Sequence, residues 1–335
     1  MFFEGFFDTV SPRISSKIIS GLLALVITLG GMKGYDVIAA KKLANGDVQE
    51  NGENIPAAGT PEQGSTEGEK VFTDTDAAVL SGETLAESVL LYDVGKLHII
   101  AKKEEIKVIS CGDMSVLASA VLVSRVIDSG RVSESEYAVC PASAQKRPNY
   151  LPSSSILSVG KKMTVKDILK CMIYQKGSSF AYTLAVHISG SEEAFVSELN
   201  ALAAELKLSG TAFTNVCGED DGIAKTTAYD IGVLMKHFLA DARLKAIFCS
   251  NEKLTVGAGE TGGSVYLTVA NDFFVSSCTE GQAKADGIVG GKVGTLGEKK
   301  WSIVLFSKGE GEYLSVTLGC ISPYSEALKI YALLL

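Results

Sequence analysis

Strand-like and helix-like segments follow one another in an order that limits the folds open to this chain of 335 residues. Residues 89–100 contain two apolar runs around a Gly-containing turn, a pattern that predicts a β-hairpin. Residues 301–306 and 313–318 predict a second hairpin, because the segment between them is polar and contains glycine. Strands are therefore expected both before and after the segment between residues 100 and 301.

Segments of helical length lie between the two hairpins. Residues 114–127 form a long apolar run, and residues 165–174 carry apolar side chains at helical spacing. Residues 194–206 follow Ser191 and residues 227–239 begin with a Thr, both residue types that cap helix N-termini. Strands, a helical insert, strands and a closing helix indicate an α+β domain in which helices flank an antiparallel sheet.

The N-terminal part of the chain has the pattern of an export signal. Arg13 and Lys17 precede residues 18–32, which are mostly apolar, and this order predicts a cytoplasmic N-terminus and an exported remainder. The run is shorter than the ~20 residues of a comfortable span, so a signal anchor and a cleaved signal peptide both stay open. We take residues 1–42 as a cytoplasmic start and a membrane signal-anchor with a single span. The globular part is then extracytoplasmic at the cell membrane, or secreted if the signal is cleaved.

Composition separates a linker from a globular domain. Residues 43–84 are rich in Asn, Gly, Pro, Glu, Asp, Thr and Ser, which predicts an acidic flexible linker. Residues 85–335 are predicted to form the globular domain, and a hydrophobic content of 46% is ample for its core. The formal net charge of -8 provides no basic face for nucleic acid, so nucleic-acid binding is not expected.

Cysteine and histidine positions do not predict a metal site. The 7 Cys are irregularly spaced, odd in number and without a C-x-x-C pair, which argues against a disulfide framework and a zinc site. We expect most of them to be small buried apolar residues. The 3 His have no metal or triad spacing. We therefore expect neither a metal nor a cofactor.

A short stretch near the C-terminus combines a Lys with a Gly just before a predicted strand. Lys292, Val293, Gly294 and Thr295 precede the strand-like run that begins at Trp301. A Lys supplies a positive charge, and a Gly permits close approach of the backbone. The stretch resembles the Lys-Thr-Gly motif of penicillin-recognising serine hydrolases, whose Lys and small residue hold the substrate's terminal carboxylate on an edge strand. Val293 stands where that motif has Thr, which removes a hydroxyl from the clamp.

Other stretches are similar, in the same order, to segments of the D-alanyl-D-alanine carboxypeptidases of peptidase family S11. They are residues 153–169, 190–196, 211–218 and 226–231, and the resemblance extends from about Glu87 to the C-terminus. It implies a β-lactamase/DD-peptidase-like domain of the α+β class, a peptidoglycan stem peptide as ligand and no cofactor.

The resemblance also implies a Ser-x-x-Lys tetrad at the start of a buried helix, where the Ser attacks the D-Ala-D-Ala carbonyl and the Lys accepts its proton. An ungapped count places Cys111 at the nucleophile position and Met114 at the base position. Cys can act as a nucleophile, and we expect the dipole of a helix N-terminus to favour its thiolate. Met has no titratable proton, so the base is lost. A small core residue and a core filler are the alternative interpretation of this pair.

The second family motif, Ser-x-Asn, falls by ungapped extension on Lys176, Gly177 and Ser178, so neither residue type stands in its place. Lys176 would project into the same cleft, where it would act as a relocated base or lower the pKa of Cys111. A solvated Lys at a helix end is the alternative. Asn215 and Asp230 match family positions to which we assign structural hydrogen bonds and helix capping.

These observations predict an exported S11-type domain that acts at peptidoglycan as a catalytically impaired pseudoenzyme. It would bind stem peptides, or a cell-wall, divisome or sporulation protein, through the old cleft. One alternative is an active D-Ala-D-Ala carboxypeptidase that uses Cys111 as its nucleophile. Another is a purely structural domain that has also lost ligand binding. The family is serine-type and hydrolytic, but because neither catalytic motif is retained, the sequence leaves open whether this chain is an enzyme.

Overall fold

A six-stranded sheet is the central element of the computed structural model. The structure describes residues 71–146, 157–175, 178–219, 221–260, 263–269, 271, 273 and 287–334. They belong to one compact unit, residues 67–335. The strands are β1 (Ala78–Val79), β2 (Ser88–Asp93), β3 (His98–Lys103), β4 (Ile109–Ser110), β5 (Tyr137–Val139), β6 (Lys162–Thr164), β7 (Lys225–Thr226), β8 (Leu254–Glu260), β9 (Gly263–Val269), β10 (Ile288–Leu296), β11 (Lys299–Lys308) and β12 (Gly311–Cys320).

The central sheet has the strand order β1-β3-β2-β12-β11-β10. Its two predicted hairpins are confirmed, since β2 pairs antiparallel with β3 and β11 pairs antiparallel with β12. Strand β12 then joins the two hairpins by pairing with β2, with Val316 opposite Leu90. The N-terminal and C-terminal strands of the domain therefore form one sheet, and the helical insert returns the chain to that sheet through β10.

The helices that the structure describes are α1 (Ser115–Asp128), α2 (Val165–Tyr174), α3 (Ser178–Ser189), α4 (Glu192–Glu205), α5 (Ala228–Ala240), α6 (Ala242–Cys249) and α7 (Pro323–Ala332). Helices α1, α2, α4, α5 and α7 follow predicted segments closely, whereas α3 and α6 were not predicted. Short 3-10 helices cover Gly112–Met114 and Ala142–Lys146. The predicted caps are confirmed, because the Ser191 side chain accepts a hydrogen bond from Ala194 N and the Thr227 side chain accepts one from Asp230 N.

Both faces of the central sheet are covered, which explains why every residue of β2 is buried. On one face, helix α5 approaches so closely that a Cβ at Gly232 would lie 2.5 Å from Leu90 Cδ2. Tyr92 Oη donates to the Gly232 carbonyl oxygen at 3.2 Å across the same contact. On the other face, α7 buries Tyr324 and Ile330. The helical insert and the closing helix thus enclose the sheet between two helical layers.

The predicted α+β class is confirmed, and the sheet pairing differs from the prediction in two respects. Strand β1 pairs parallel with β3, so the central sheet is not wholly antiparallel. Two further sheets, β4-β7 and β5-β6-β8-β9, were not predicted. Several of these strands have only two or three residues. A segment that short cannot show the alternating pattern from which strands are predicted.

Residues N-terminal to the predicted domain start also pack on the domain. Phe72 has 1% of its surface exposed, and its ring centroid lies 4.6 Å from that of Tyr92 and 5.3 Å from that of Tyr229. Leu80 is buried in the cluster that contains Val89 and Ile330. The packed domain therefore includes residues before 85. The polar composition of this region did not reveal that Phe72 and Leu80 are buried.

Within the described part of the chain, no helix is long and apolar enough to cross a membrane. The predicted apolar run, residues 18–32, lies outside the described residues, as does the predicted linker up to residue 70. The membrane anchor and the start of the linker stay predictions.

Removal of the Phe72 ring tests whether the segment before residue 85 belongs to the folded domain. Phe72→Ala should lower the free energy of unfolding by about 3–5 kcal/mol, because a buried aromatic side chain is lost. Urea unfolding followed by circular dichroism measures the change. Val79→Ala is the matched control, since Val79 is 76% exposed. It should change stability by less than about 0.5 kcal/mol. Equal effects of the two substitutions would contradict the packing.

Candidate active site

The predicted site is the contact between the start of α1 and the edge strand β10. In the described sheet, β10 is terminal and pairs with β11 along one side. The 3-10 turn Gly112–Met114 lies against its other side near Thr295. Gly112 has φ 51°, in the left-handed region that favours glycine, and a Cβ there would overlap the Thr295 carbonyl oxygen. The turn is therefore seated directly on the edge strand.

Asp113 is the side chain that crosses this contact. Its Oδ1 accepts hydrogen bonds from Thr295 N at 2.9 Å and from Trp301 Nε1 at 2.6 Å. Thr295 Oγ1 donates to Oδ2 over a longer 3.4 Å. A Cβ at Gly294 would overlap Oδ1, and one at Gly218 would overlap the Asp113 backbone. The carboxylate thus fills the space between the helix start and the edge strand.

Lys292 of the predicted clamp points to the interior. It has 3% of its surface exposed, and its Nζ donates to the Ile173 carbonyl oxygen at 2.7 Å. Ile173 lies in the last turn of α2, where carbonyl groups lack partners within the helix and the helix dipole favours a positive charge. The ammonium group therefore connects the edge strand to the end of α2.

The other clamp residues face different surroundings. Val293 is 5% exposed and packs on the opposite side of the sheet with Phe306 and Tyr324. Gly294 makes room for Asp113, and Thr295 is exposed at the end of the contact. The four residues 292–295 therefore have different surroundings. Lys292 forms an internal hydrogen bond, Val293 lies in the core beneath α7, and Gly294 and Thr295 contact Asp113.

Cys111 and Met114 are both completely buried, each with 0% of its surface exposed. Burial raises the pKa of the Cys111 thiol to about 12, and the nearby Asp113 carboxylate acts in the same direction. The expected preference for the thiolate is therefore reversed, because desolvation outweighs the helix dipole at this position. Met114 lies in the main core cluster with Leu117 and Trp301.

Asp113 is the residue of this contact that the sequence analysis did not single out. When the tetrad is counted from the side chain that reaches the edge strand, it becomes Asp113, Met114, Ser115 and Val116. In this register the first position is Asp113 and the fourth is Val116, which is buried. Neither this register nor the ungapped one has a Ser at the first position and a Lys at the fourth. Gly112 directly before Asp113 was the available sequence signal, since a glycine there permits the turn that presents the carboxylate.

The second motif is only partly described. Ser178 is the first residue of α3, whereas Lys176 lies outside the described residues, so its predicted place near Cys111 stays a prediction. Asn215 and Asp230 have the structural roles expected of them. Asn215 Oδ1 accepts from Cys217 N and Glu219 N, and these bonds shape the loop that carries Gly218. Asp230 Oδ2 accepts from Gly210 N and Thr211 Oγ1.

A cavity of about 510 Å³ lies away from this contact, between α1, α5 and α6. The two arginines that line it are paired with carboxylates. Arg243 contacts Asp128, Asp241 and Glu134, while Arg125 contacts Glu205. These pairs indicate an ion-pair network between helices, distinct from the predicted site.

Two proteins with similar sequences are named as D-alanyl-D-alanine carboxypeptidases. The model of the family described as D-alanyl-D-alanine carboxypeptidase matches residues 73–278. The chain is 24% identical over 256 residues to the D-alanyl-D-alanine carboxypeptidase DacF of Bacillus subtilis (strain 168), covering 76% of this chain and 62% of that protein. It is 29% identical over 157 residues to the D-alanyl-D-alanine carboxypeptidase DacD of Escherichia coli (strain K12), covering 46% of this chain and 40% of that protein. The chain thus spans less than two thirds of the length of these relatives.

Solved structures with a similar fold include penicillin binding protein 6B from Escherichia coli, with a TM-score of 0.62 and 21% identity over 84% of this chain and 81% of that chain. Penicillin binding protein 5 from Haemophilus influenzae has a TM-score of 0.64 and 18% identity over 77% of this chain and 72% of that chain. These similarities confirm the predicted β-lactamase/DD-peptidase-like fold. Because the family model also covers more than half of the 335 residues, the chain belongs to peptidase family S11, the family described as D-alanyl-D-alanine carboxypeptidase.

Proposed function

We propose that this chain is an exported S11-type domain that acts at peptidoglycan by binding, as a catalytically impaired pseudoenzyme. Its ligand is a stem peptide or a wall-associated protein. The observation that carries the proposal is the Asp113 carboxylate, which occupies the contact between the start of α1 and the edge strand. Membership of the family supports the ligand class, and the basic-then-apolar pattern up to residue 32 supports export.

Acyl transfer needs an activated nucleophile and a base within hydrogen-bond reach of it. Cys111 is buried as a neutral thiol, and Met114 has no proton to exchange. The alternative register offers Asp113, whose carboxylate is already bonded to donors on the sheet, and Val116. Loss of the nucleophile or base from a serine protease lowers kcat by roughly 10⁶. Removal of both functions in this chain supports binding without turnover.

The internal contact of Lys292 supports the same conclusion. An ammonium group that donates to the Ile173 carbonyl oxygen and is almost entirely buried stabilises the fold before any ligand arrives. A ligand carboxylate would have to compete with this bond. Breaking the bond between Lys292 and the Ile173 carbonyl would reduce the affinity for a D-Ala-type carboxylate, compared with a site whose Lys is exposed.

The first prediction is that the protein neither forms an acyl adduct nor releases D-Ala. Intact-mass spectrometry after incubation with penicillin should show the unmodified mass, and a stem pentapeptide should release no D-Ala above the uncatalysed rate. Cys111→Ala is the matched control and should give the same two results. An adduct that Cys111→Ala abolishes, together with D-Ala release, would contradict the proposal and establish Cys111 as a nucleophile.

A second prediction concerns the reactivity of Cys111. With a pKa of about 12 and no exposed surface, its thiol should stay unmodified when the native protein is treated with iodoacetamide at pH 8. The same thiol should react once urea unfolds the chain, because the unfolded pKa is about 8.5. Peptide mass mapping measures both states. Cys249 is partly exposed and is the internal comparison, so faster native labelling of Cys111 than of Cys249 would refute the assignment.

A third prediction separates a structural role of Lys292 from a role in ligand binding alone. Lys292→Met should lower the free energy of unfolding by about 1–3 kcal/mol, since the buried Ile173 carbonyl loses a charged donor. Thermal or urea unfolding without ligand measures this effect. Lys308→Met is the control on the same sheet, because Lys308 is exposed, and it should have little effect. A Lys292→Met protein as stable as the wild type would contradict the structural role of this side chain.

A further inference from the structure

The donors around Asp113 have the arrangement of a carboxylate-binding site. A backbone N–H and an indole N–H converge on one oxygen at 2.9 and 2.6 Å, and a hydroxyl approaches the other oxygen at 3.4 Å. Hydrogen bonds to an ionised acceptor are shorter and stronger than those between neutral groups. All three donors belong to Thr295 and Trp301, on adjacent strands of the sheet, so the helix that carries Asp113 contributes the anion and none of these donors.

The surroundings make room for this carboxylate. The backbone of Gly112 turns through the left-handed region immediately before Asp113. A Cβ at Gly294 would overlap the Asp113 carboxylate, and a Cβ at Gly218 would overlap the Asp113 backbone. Three glycines from separate parts of the chain thus admit one side chain. Removal of the Asp113 side chain would leave a space bounded by the donors of Thr295 and Trp301.

Solvent has access to one end of this arrangement. Thr295 is exposed and Asp113 is partly exposed, whereas Trp301 is completely buried. A small anion can therefore reach the Thr295 end from outside, while the indole at the other end is held in place by the core. This geometry suits a ligand that carries its carboxylate at a terminus.

We propose that Thr295 and Trp301 form a carboxylate-binding site that the chain fills with its own Asp113. The ligand class is a terminal carboxylate, either of a small organic acid or of a peptide C-terminus, and such a ligand enters only when the Asp113 side chain is displaced. Asp113 therefore acts as an internal competitor that sets the affinity of the cleft. This inference rests on the proposed function in one respect, the identification of the cleft as the place where a peptide binds.

Trp301 is the only Trp in the chain, so intrinsic fluorescence reports on the site directly. Asp113→Ala should bind sodium formate with a saturable change in Trp301 emission and a rise in melting temperature, because binding to the native state alone stabilises it. The wild-type protein should show neither effect over the same range. Sodium chloride at equal ionic strength is the control for a general salt effect. A folded Asp113→Ala protein that responds to formate no more than the wild type would overturn the inference.

Asp113→Asn is the matched variant if Asp113→Ala does not fold. It keeps the shape of the side chain and one oxygen acceptor but removes the charge, so it should fold, show altered Trp301 emission and give no formate response. Its melting temperature should lie below that of the wild type. Emission and melting temperature identical to those of the wild type would overturn the inference, because the charged contact would then contribute nothing.

A stem pentapeptide distinguishes this inference from the proposed function. If Asp113→Ala binds both formate and the pentapeptide, both stand. If it binds formate and not the pentapeptide, the carboxylate site stands and the stem-peptide function falls. The third outcome is that wild-type protein binds the pentapeptide without any change in Trp301 emission, and that Asp113→Ala binds it no more tightly than wild type. The proposed function would then stand, and competition by Asp113 would be refuted.

Discussion

The contact between the Asp113 carboxylate and the edge of the central sheet determines what the cleft of this domain contains. Its two shortest hydrogen bonds join the start of α1 to adjacent strands across 182 and 188 residues of sequence. Bonds of this kind stabilise a fold only when the charged group is well satisfied, since an unpaired carboxylate in a closed space is costly. The donors on Thr295 and Trp301 meet that requirement. The helical insert is consequently fixed against the edge of the central sheet.

The overall architecture could be predicted from the sequence because its signals are local. Each hairpin shows two apolar runs around a turn, and Ser191 and Thr227 mark helix starts by chemistry that acts within three residues. The parallel pairing of β1 with β3 had no such signal, since its two residues are exposed and depend on the adjacent chain for their position. Phe72 was missed for a related reason, because one buried ring does not change the composition of a polar segment.

The site required tertiary information because residue register decides which side chain reaches the cleft. An ungapped count placed Cys111 and Met114 in the motif, and a shift of two residues exchanges them for Asp113 and Val116. Gly112, whose backbone is in the left-handed region, separates the two residues, so the Cys111 side chain is buried in the core while the Asp113 side chain reaches the edge strand. The ungapped count puts Cys111 where the family has Ser, and the register that the structure suggests puts Asp113 there. The hydrogen bond from Trp301, 188 residues away in the sequence, shows that Asp113 is the one that reaches the edge of the sheet.

A catalytic cleft and a stable helix–sheet contact place opposite demands on the same atoms. Catalysis requires donors and bases that are held in place and left unpaired until the substrate arrives, and that requirement commonly lowers stability. In this domain the donors of Thr295 and Trp301 are already paired with Asp113, and Lys292 is bonded to α2. Each of these bonds must be broken before the same group can hold a ligand, and that cost subtracts from affinity. The bonds of Asp113 and Lys292 therefore contribute to the stability that unpaired catalytic groups would reduce.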